Sequence, residues 1–269
     1  MTPRTEGGSG GILAGKRLLV TGIVTDASLA FSAARMAQEQ GAEVVVSGWG
    51  RGLSLTRRAV RKLPIEPVVL EMDVTTAAQV EAGAREMHER WDRLDGLLHA
   101  IAFAPPTCLG RGILAAEWPD VATTLEVSAY SLKTLVHAFR PLLEVAGAHG
   151  GASVVALDFD ASVTWPLYDW MGVAKAALES LTRYLARELG PSGVKVNLVA
   201  AGPVRTMATR AMPGFRVFQE LWDERAPLGW SEDQADAVAR ACAVLMSDWL
   251  PMTTGERLHI DGGFHSVGA

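Results

Sequence analysis

The sequence predicts an α/β fold: a single-domain, doubly wound parallel sheet of about seven strands. Three observations lead there. Short runs rich in Val, Leu and Ile alternate with longer stretches of helical period, from residue 16 to residue 260. The strand runs are continuously apolar, as in a sheet buried under helices on both faces. No Pro/Ser-rich linker and no short-period repeat divides the 269 residues, a length that one α/β domain accommodates. Right-handed crossovers then leave the doubly wound arrangement as the natural closure.

The elements follow in order. Residues 16–22 (KRLLVTG) read as the first strand, and 28–41 as a helix stopped by Gly41. Residues 43–48 (EVVVSG) are the second strand, followed by a basic, exposed helix over 51–62. Residues 67–74 (PVVLEMDV) form the third strand and 76–91 its helix; 94–103 (LDGLLHAIAF) form the fourth strand. A long helical stretch over 120–146 leads to the fifth strand at 152–159 (ASVVALDF). Pro166 opens a helix that runs through Leu189, because proline is favoured in a first helical turn. Residues 194–199 (VKVNLV) and 257–260 supply the sixth and seventh strands.

Composition narrows the function classes. Apolar residues make up 49 %, enough for a sizeable core, and 25 basic against 30 acidic side chains give a net charge of −5. That balance argues against nucleic acid as the main partner, since phosphate binding needs a basic excess. Cys108 and Cys242 are the two cysteines, without a CxxC or Cys/His grid. The expectation is a reduced, cytoplasmic protein without structural zinc. The six histidines show no HExxH or HxH spacing, so no metal is expected. No apolar run approaches the roughly 18 residues of a membrane span. Residues 1–12 read as a flexible tail rather than a signal peptide, with one Arg and no apolar segment in MTPRTEGGSGG. Its GGSGG matches GxSxG only formally, lacking the strand and helix that motif needs.

In a doubly wound sheet, ligands bind beyond the carboxyl ends of the strands, so the strand exits carry the information. At the first exit, Gly22 is followed by IVTDASLA rather than by a GxGxxG run. Small Ser28 and Ala30 would let a pyrophosphate approach the amides at a helix N-terminus, and Ser28 can cap that helix. An ordinary strand–turn–helix with a Ser cap fits the same residues. After the second strand, SGWGR has no acidic residue for ribose hydroxyls. Trp49 can stack on adenine and Arg51 can meet a 2′-phosphate; a surface Trp and a solvated Arg are the plain alternatives. Asp73 and Val74 end the third strand, where a carboxylate either accepts from an adenine amino group or simply starts a helix. Tyr168 and Lys175 stand seven positions apart, on one helix face and separated by about 10 Å of rise. A cofactor ribose fits that gap. A nearby ammonium and a helix N-terminus both favour a phenolate, tuning Tyr168 to hydrogen-bond a developing enolate oxygen and act as an acid.

Taken in order, TGIVTDASLAF, MDV, HAIAFAP, LDFD, YDWMGVAKAALES and NLVAAGPVRT resemble the enoyl-acyl carrier protein reductases of the short-chain dehydrogenase/reductase superfamily. The likeness is closest to the mycobacterial branch and spans about residues 13–263. The Tyr-six-residues-Lys spacing carries it, because ordinary superfamily members have three residues between the pair, and position 172 here is Gly. The resemblance implies a Rossmann-like fold, a homotetramer, and reduction of 2-enoyl thioesters on acyl carrier protein or coenzyme A. It implies NADH as cofactor, with NADPH possible. Gly22, Ser28 and Leu29 would hold the pyrophosphate side; Trp49, Asp73 and Val74 would close the adenine pocket. Ile101 and Ala102 would lie under the adenosine and pyrophosphate path. Lys175 would hold the nicotinamide ribose, with Gly202, Pro203, Val204 and Thr206 along the nicotinamide. Tyr168 would bind the thioester carbonyl beside Phe159, with Ala104 and Met171 near the substrate.

Four features depart from the family pattern: Ala100 in place of Ser, Ala102 in place of Gly, Gly50 in place of an acidic residue, and a short segment between Thr206 and Trp222. That segment is the expected substrate lid, 206–222, and Met207, Met212, Phe215 and Phe218 are suited to its walls. The other tryptophans, 118, 165, 222, 230 and 249, are scattered as packing residues are. Two rival readings remain in view. The Tyr–Lys spacing counts against a ketone or imine reductase of a secondary-metabolite pathway. Keeping both Tyr168 and Lys175 counts against an idle dinucleotide-binding regulator.

Overall fold

A computed structural model describes residues 10–210 and 214–268, the side chains of Ala208 and Arg210 excepted. Strands β1 (Arg17–Val20), β2 (Glu43–Gly48), β3 (Val69–Glu71), β4 (Gly96–His99), β5 (Ala152–Asp158), β6 (Val194–Ala201) and β7 (Arg257–Ile260) form one parallel sheet, ordered β3-β2-β1-β4-β5-β6-β7. Strand order reverses between β1 and β4, so the crevice beyond their carboxyl ends is the natural ligand position. β2 and β7 coincide with the expected boundaries, whereas β3 is shorter than 67–74.

The connecting helices are α1 (Leu29–Glu39), α2 (Leu53–Val60), α3 (Ala77–Arg90), α4 (Trp118–Leu125), α5 (Ser131–Ala148), α6 (Asp169–Leu189), α7 (Met207–Arg210), α8 (Phe215–Arg225) and α9 (Ala235–Met246). On one face of the sheet, α3, α5 and α6 bury Val80, Met87, Leu132, Phe139 and Leu178 against Leu19, Leu97 and Val154. On the other, α1, α2 and α9 bury Ala34, Val60, Val238 and Cys242 against Leu18, Leu98 and Val155. Apolar strands with no polar face are thereby covered twice, as their composition requires. Among the described residues no helix is long and apolar enough to cross a membrane.

Several expected boundaries move. The helix expected over 51–62 is a 3₁₀ turn at Gly50–Gly52 followed by α2. The stretch over 120–146 is interrupted by a π turn at Glu126–Tyr130. The helix expected to open at Pro166 begins only at Asp169. Helix α9 was not anticipated; its apolar side packs on α1. Residues 1–9 of the expected tail lie outside the described residues, but its end does not behave as tail. The Ile12 amide donates to Gln40 Oε1 at 3.2 Å, and its side chain packs on the α1-side core.

Candidate active site

The β1 exit is built on backbone proximity. Gly22 has φ +89°, and a Cβ there would stand 2.0 Å from the Ala100 carbonyl oxygen beyond β4. Only glycine lets the two central strand exits meet this closely. Ser28 occupies the N-cap position of α1, yet its hydroxyl does not cap the helix. Instead it accepts from the Val24 and Thr25 amides at 3.2 and 3.1 Å. The expected cap is therefore corrected: the hydroxyl folds the loop, the Ser28 carbonyl takes the Phe31 and Ser32 amides, and the Leu29 and Ala30 amides remain for an anion. No acidic side chain occupies that first turn.

At the β2 and β3 exits, Trp49 is exposed, Gly50 has φ +54° with open space around it, and Arg51 is exposed. The buried Asp73 carboxylate accepts from the Thr75 amide and hydroxyl through Oδ1, at 2.9 and 2.8 Å. Its Oδ2 sees only the Thr76 hydroxyl, at 3.5 Å. Asp73 thus starts α3 with one oxygen and keeps the other largely free; Val74 is buried beneath it.

Beyond β4, Ile101 and Ala104 are half-buried and Ala102 is exposed. The π turn explains how this loop is held. Ser128, within it, accepts from the Phe103 amide at 3.0 Å and donates to the Phe103 carbonyl at 2.9 Å. Such single π turns recur at functional sites, and nothing in the local sequence announced this one. His99 is buried at the end of β4 against the Ser131 hydroxyl, at 2.7 Å. Burial, with the Lys175 charge nearby, pushes its imidazole down to about 3. It is a neutral packing residue, not a proton carrier.

Tyr168 sits immediately before α6, between two residues with unusual backbone. Leu167 has φ +62° and Asp169 φ +39°, conformations that cost about 1–3 kcal/mol each and concentrate at functional sites. Surrounding bonds impose them. The Leu167 carbonyl accepts from the Gly110 amide at 3.0 Å, and Asp169 Oδ2 accepts from the Arg111 and Gly112 amides, both at 3.0 Å. Trp170 adds an indole N–H to the Ile113 carbonyl at 2.8 Å, while Met171 is buried. The Tyr168 ring packs at 5.1 Å from Phe159, and its hydroxyl makes no hydrogen bond among the described residues. Lys175, buried on α6, donates to the Leu157 carbonyl at 2.8 Å. One sequence expectation is reversed here. Burial, and then the negative charge of Asp158, push the Tyr168 phenol above its ordinary value. Desolvation outweighs any help from the helix terminus, so Tyr168 is a neutral donor and not a phenolate.

Helix α8 covers this centre. Phe218 is fully buried, 5.7 Å from Phe159 and 6.3 Å from Tyr168. Trp222 stacks on Phe264 at 3.9 Å and reaches both Phe159 and Trp165. Each such pair contributes about 0.5–1.5 kcal/mol beyond its buried area. Gly214, with φ +68°, lets α8 start directly over Leu167. Phe215 is half-buried and Met207 exposed; Met212, like Pro213, lies outside the described residues. Behind the aromatic cluster a cavity of about 450 Å³ is walled by Phe159, Trp165 and Trp222, but Tyr168 and Lys175 do not line it.

At the β6 exit, Gly202 is pressed against two indoles, its notional Cβ 2.7 Å from Trp222 Nε1 and from Trp230 Cε2. The Trp230 indole N–H donates to the Pro203 carbonyl at 2.9 Å. Val204 is buried, and the Thr206 amide donates to the Thr209 hydroxyl at 2.7 Å. Trp165, Trp222 and Trp230 are packing residues, as expected, but they pack together, in one cluster with Phe159. Their spacing in sequence held no signal, since two loops and helix α8 bring them together. Asp158 was also missed; apolar neighbours on β5 hid it.

A sequence profile of the family described as enoyl-(acyl carrier protein) reductase matches residues 22–265. The chain is 42 % identical to the enoyl-[acyl-carrier-protein] reductase [NADH] of Mycolicibacterium smegmatis, over 94 % of this chain and 97 % of that one. It is 41 % identical to the Mycobacterium avium protein of the same name, with the same coverage of each chain. To the enoyl-[acyl-carrier-protein] reductase [NADPH] FabI of Staphylococcus aureus it is 31 % identical, over 95 % of this chain and 98 % of that one.

Proposed function

The chain belongs to the enoyl-(acyl carrier protein) reductase family, and we propose that its Tyr168–Lys175 site reduces the double bond of trans-2-enoyl thioesters with NADH, in fatty acid synthesis. The observation that carries this reading is a Tyr168 hydroxyl beside Phe159 with no hydrogen-bond partner among the described residues, at the N-terminal boundary of the helix that carries a buried Lys175 whose ammonium keeps donors to offer. The β1 exit fits a dinucleotide: a Cβ-free approach at Gly22, a loop folded by Ser28, and an uncharged first turn at Leu29.

When bound, the reduced nicotinamide supplies a hydride for the β-carbon. The chain's own residues orient and stabilise. Lys175 holds the nicotinamide ribose, and Gly202, Pro203, Val204 and Thr206 wall the ring and pyrophosphate. Trp49 would lie beside the adenine, with Asp73 and Val74 closing that pocket, and Ile101 and Ala102 would lie under the adenosine and pyrophosphate path. Tyr168 donates to the thioester oxygen as negative charge gathers there, and Phe159, Ala104 and Met171 position the acyl group. Positioning and stabilisation of the developing enolate supply most of the catalysis. The α-carbon then takes up a proton.

The thioester is carried by acyl carrier protein or coenzyme A, and the protein works in the cytoplasm as a homotetramer. Exposed Tyr130 after α4, Val145 on α5, and Val173 and Tyr184 on α6 offer the apolar surface for such an assembly. Light scattering of the purified chain reads its mass.

The deciding assay follows NADH and NADPH oxidation with trans-2-enoyl thioesters of increasing length. NADH is expected to be preferred over NADPH by no more than about 1–2 kcal/mol, the scale of one charge-assisted hydrogen bond. The reason is Gly50-Arg51, which carries no carboxylate against a 2′-phosphate. A hundredfold preference for NADPH contradicts this assignment.

Chain length is the second readout. The lid is α7, of 4 residues, and α8, of 11, so α8 spans about 16 Å. Each methylene kept within its walls adds about 0.8 kcal/mol, and those beyond add almost nothing. With Phe218 and Trp165 filling the space over Tyr168, kcat/KM is expected to rise from four-carbon to medium-length substrates and then flatten or fall by about sixteen carbons. A continued rise to the longest soluble chain contradicts a short tunnel.

A further inference from the structure

Asp158 ends β5 with a carboxylate that is buried and, among the described residues, has no hydrogen-bond partner on either oxygen. A buried polar group left unpaired is costly, and each such exception asks for an explanation. The explanation lies next to it. The Leu157 carbonyl, one residue earlier, takes one N–H of Lys175 at 2.8 Å. Among the described residues Lys175 has no other hydrogen-bond acceptor, so two of its three donors are free.

The surrounding charges are already engaged. Glu179, one turn further along α6, accepts from Arg257 of β7 and from the Ala161 amide at 2.9 Å. Asp160 pairs with Arg257 at 2.8 Å and lies 3.0 Å from His259 Nε2. His99 of β4 is buried and neutral against Ser131, and Tyr168 carries no charge. Asp158 and Lys175 act on each other as opposite charges without an ion-pair contact between them among the described residues, while Glu179 adds to the field at Lys175 and Arg257 to that at Asp158.

We propose that Asp158 is a positioning residue of this site: its buried carboxylate keeps Lys175 an ammonium, so that the two free N–H groups can bind the cofactor ribose. The inference rests on the ribose-holding role of Lys175 proposed above. A neutral amine at the same place would keep the Leu157 bond but lose the charge-assisted ones. The electrostatics run the same way. Burial raises the Asp158 carboxyl to about 7 and lowers the Lys175 ammonium, and each charge opposes the shift of the other.

The test is the isosteric Asp158→Asn, read in two ways. The chain has five lysines, and ¹³Cε-lysine NMR of the protein without added nucleotide, assigned with Lys175→Arg, follows the Lys175 charge directly. In the wild type its resonance is expected to stay in the ammonium range to about pH 9, and in Asp158→Asn to titrate at least about one pH unit lower. NADH affinity, measured by fluorescence, is expected to weaken at least tenfold in the variant between roughly pH 7 and pH 9, and less than threefold in the wild type. A purely structural role would weaken binding equally at every pH, and that result, or unchanged Lys175 titration, overturns the proposal. If Asp158→Asn does not fold, the wild-type spectrum decides: titration of Lys175 at or below about pH 8 overturns it. Wild-type protein that fails to bind NADH refutes the ribose role of Lys175, while the NMR experiment still tests the hold of Asp158 on its charge.

Discussion

Tyr168→Phe is expected to lower kcat on an enoyl thioester by about 10²–10³-fold, the loss typical of removing one donor to a developing oxyanion. NADH affinity should change less than about threefold, the residue being assigned to the substrate rather than to the dinucleotide. The substitution deletes one oxygen and leaves the ring contacts with Phe159 and Phe218 in place. Because that hydroxyl has no partner among the described residues, its removal leaves no protein group unsatisfied. The melting temperature should therefore hold, separating catalysis from folding. The raised phenol has a second consequence: Tyr168 remains protonated throughout the neutral and mildly alkaline range. No loss of rate below about pH 10 should trace to this residue. Full activity of Tyr168→Phe in steady-state kinetics would remove Tyr168 from the mechanism.

Lys175→Ala is expected to abolish measurable NADH binding, with the dissociation constant raised at least about 100-fold. Charge-assisted hydrogen bonds contribute about 1.5–3 kcal/mol each, and two of them to ribose hydroxyls account for that factor. The same change removes the positive charge that opposes the desolvation of the buried Asp158 carboxylate, at a cost in stability. Proton uptake by Asp158 limits that cost, since its carboxyl is already raised to about 7. Sign follows from linkage: a carboxyl raised in the folded state favours folding when protonated, and losing the Lys175 charge raises it further, so the variant should gain stability as pH falls from the alkaline range through neutrality. Calorimetric titration of NADH beside thermal melts at two pH values checks both statements. Retained nanomolar-to-micromolar binding in a folded Lys175→Ala protein would refute the ribose role.

Parts of the site were readable before any coordinates. Gly22 stood out because a strand running into a small-residue helix start permits close approach, and a Cβ there would stand 2.0 Å from the Ala100 carbonyl oxygen. Tyr168 and Lys175 stood out because a fixed spacing of seven is a local property, although Tyr168 ends up just before the helix that carries Lys175. What was misread involved competition between partners. Ser28 has a hydroxyl suited to capping, but the Val24 and Thr25 amides take it. Pro166 favours a helix start, yet the bonds from the loop at residues 110–112 hold the chain open until Asp169.

The sequence by itself determined the seven parallel strands, most of their flanking helices and the spacing of Tyr168 and Lys175, because apolar periodicity and spacing act within one segment at a time. Tertiary structure alone decided the protonation of Tyr168 and the isolation of Asp158. It also gathered Trp165, Trp222 and Phe264 with Phe159 and Phe218 over the site. Desolvation is the physical reason. How far a phenol or a carboxylate is removed from water depends on which distant side chains close over it, and no single stretch of chain carries that information.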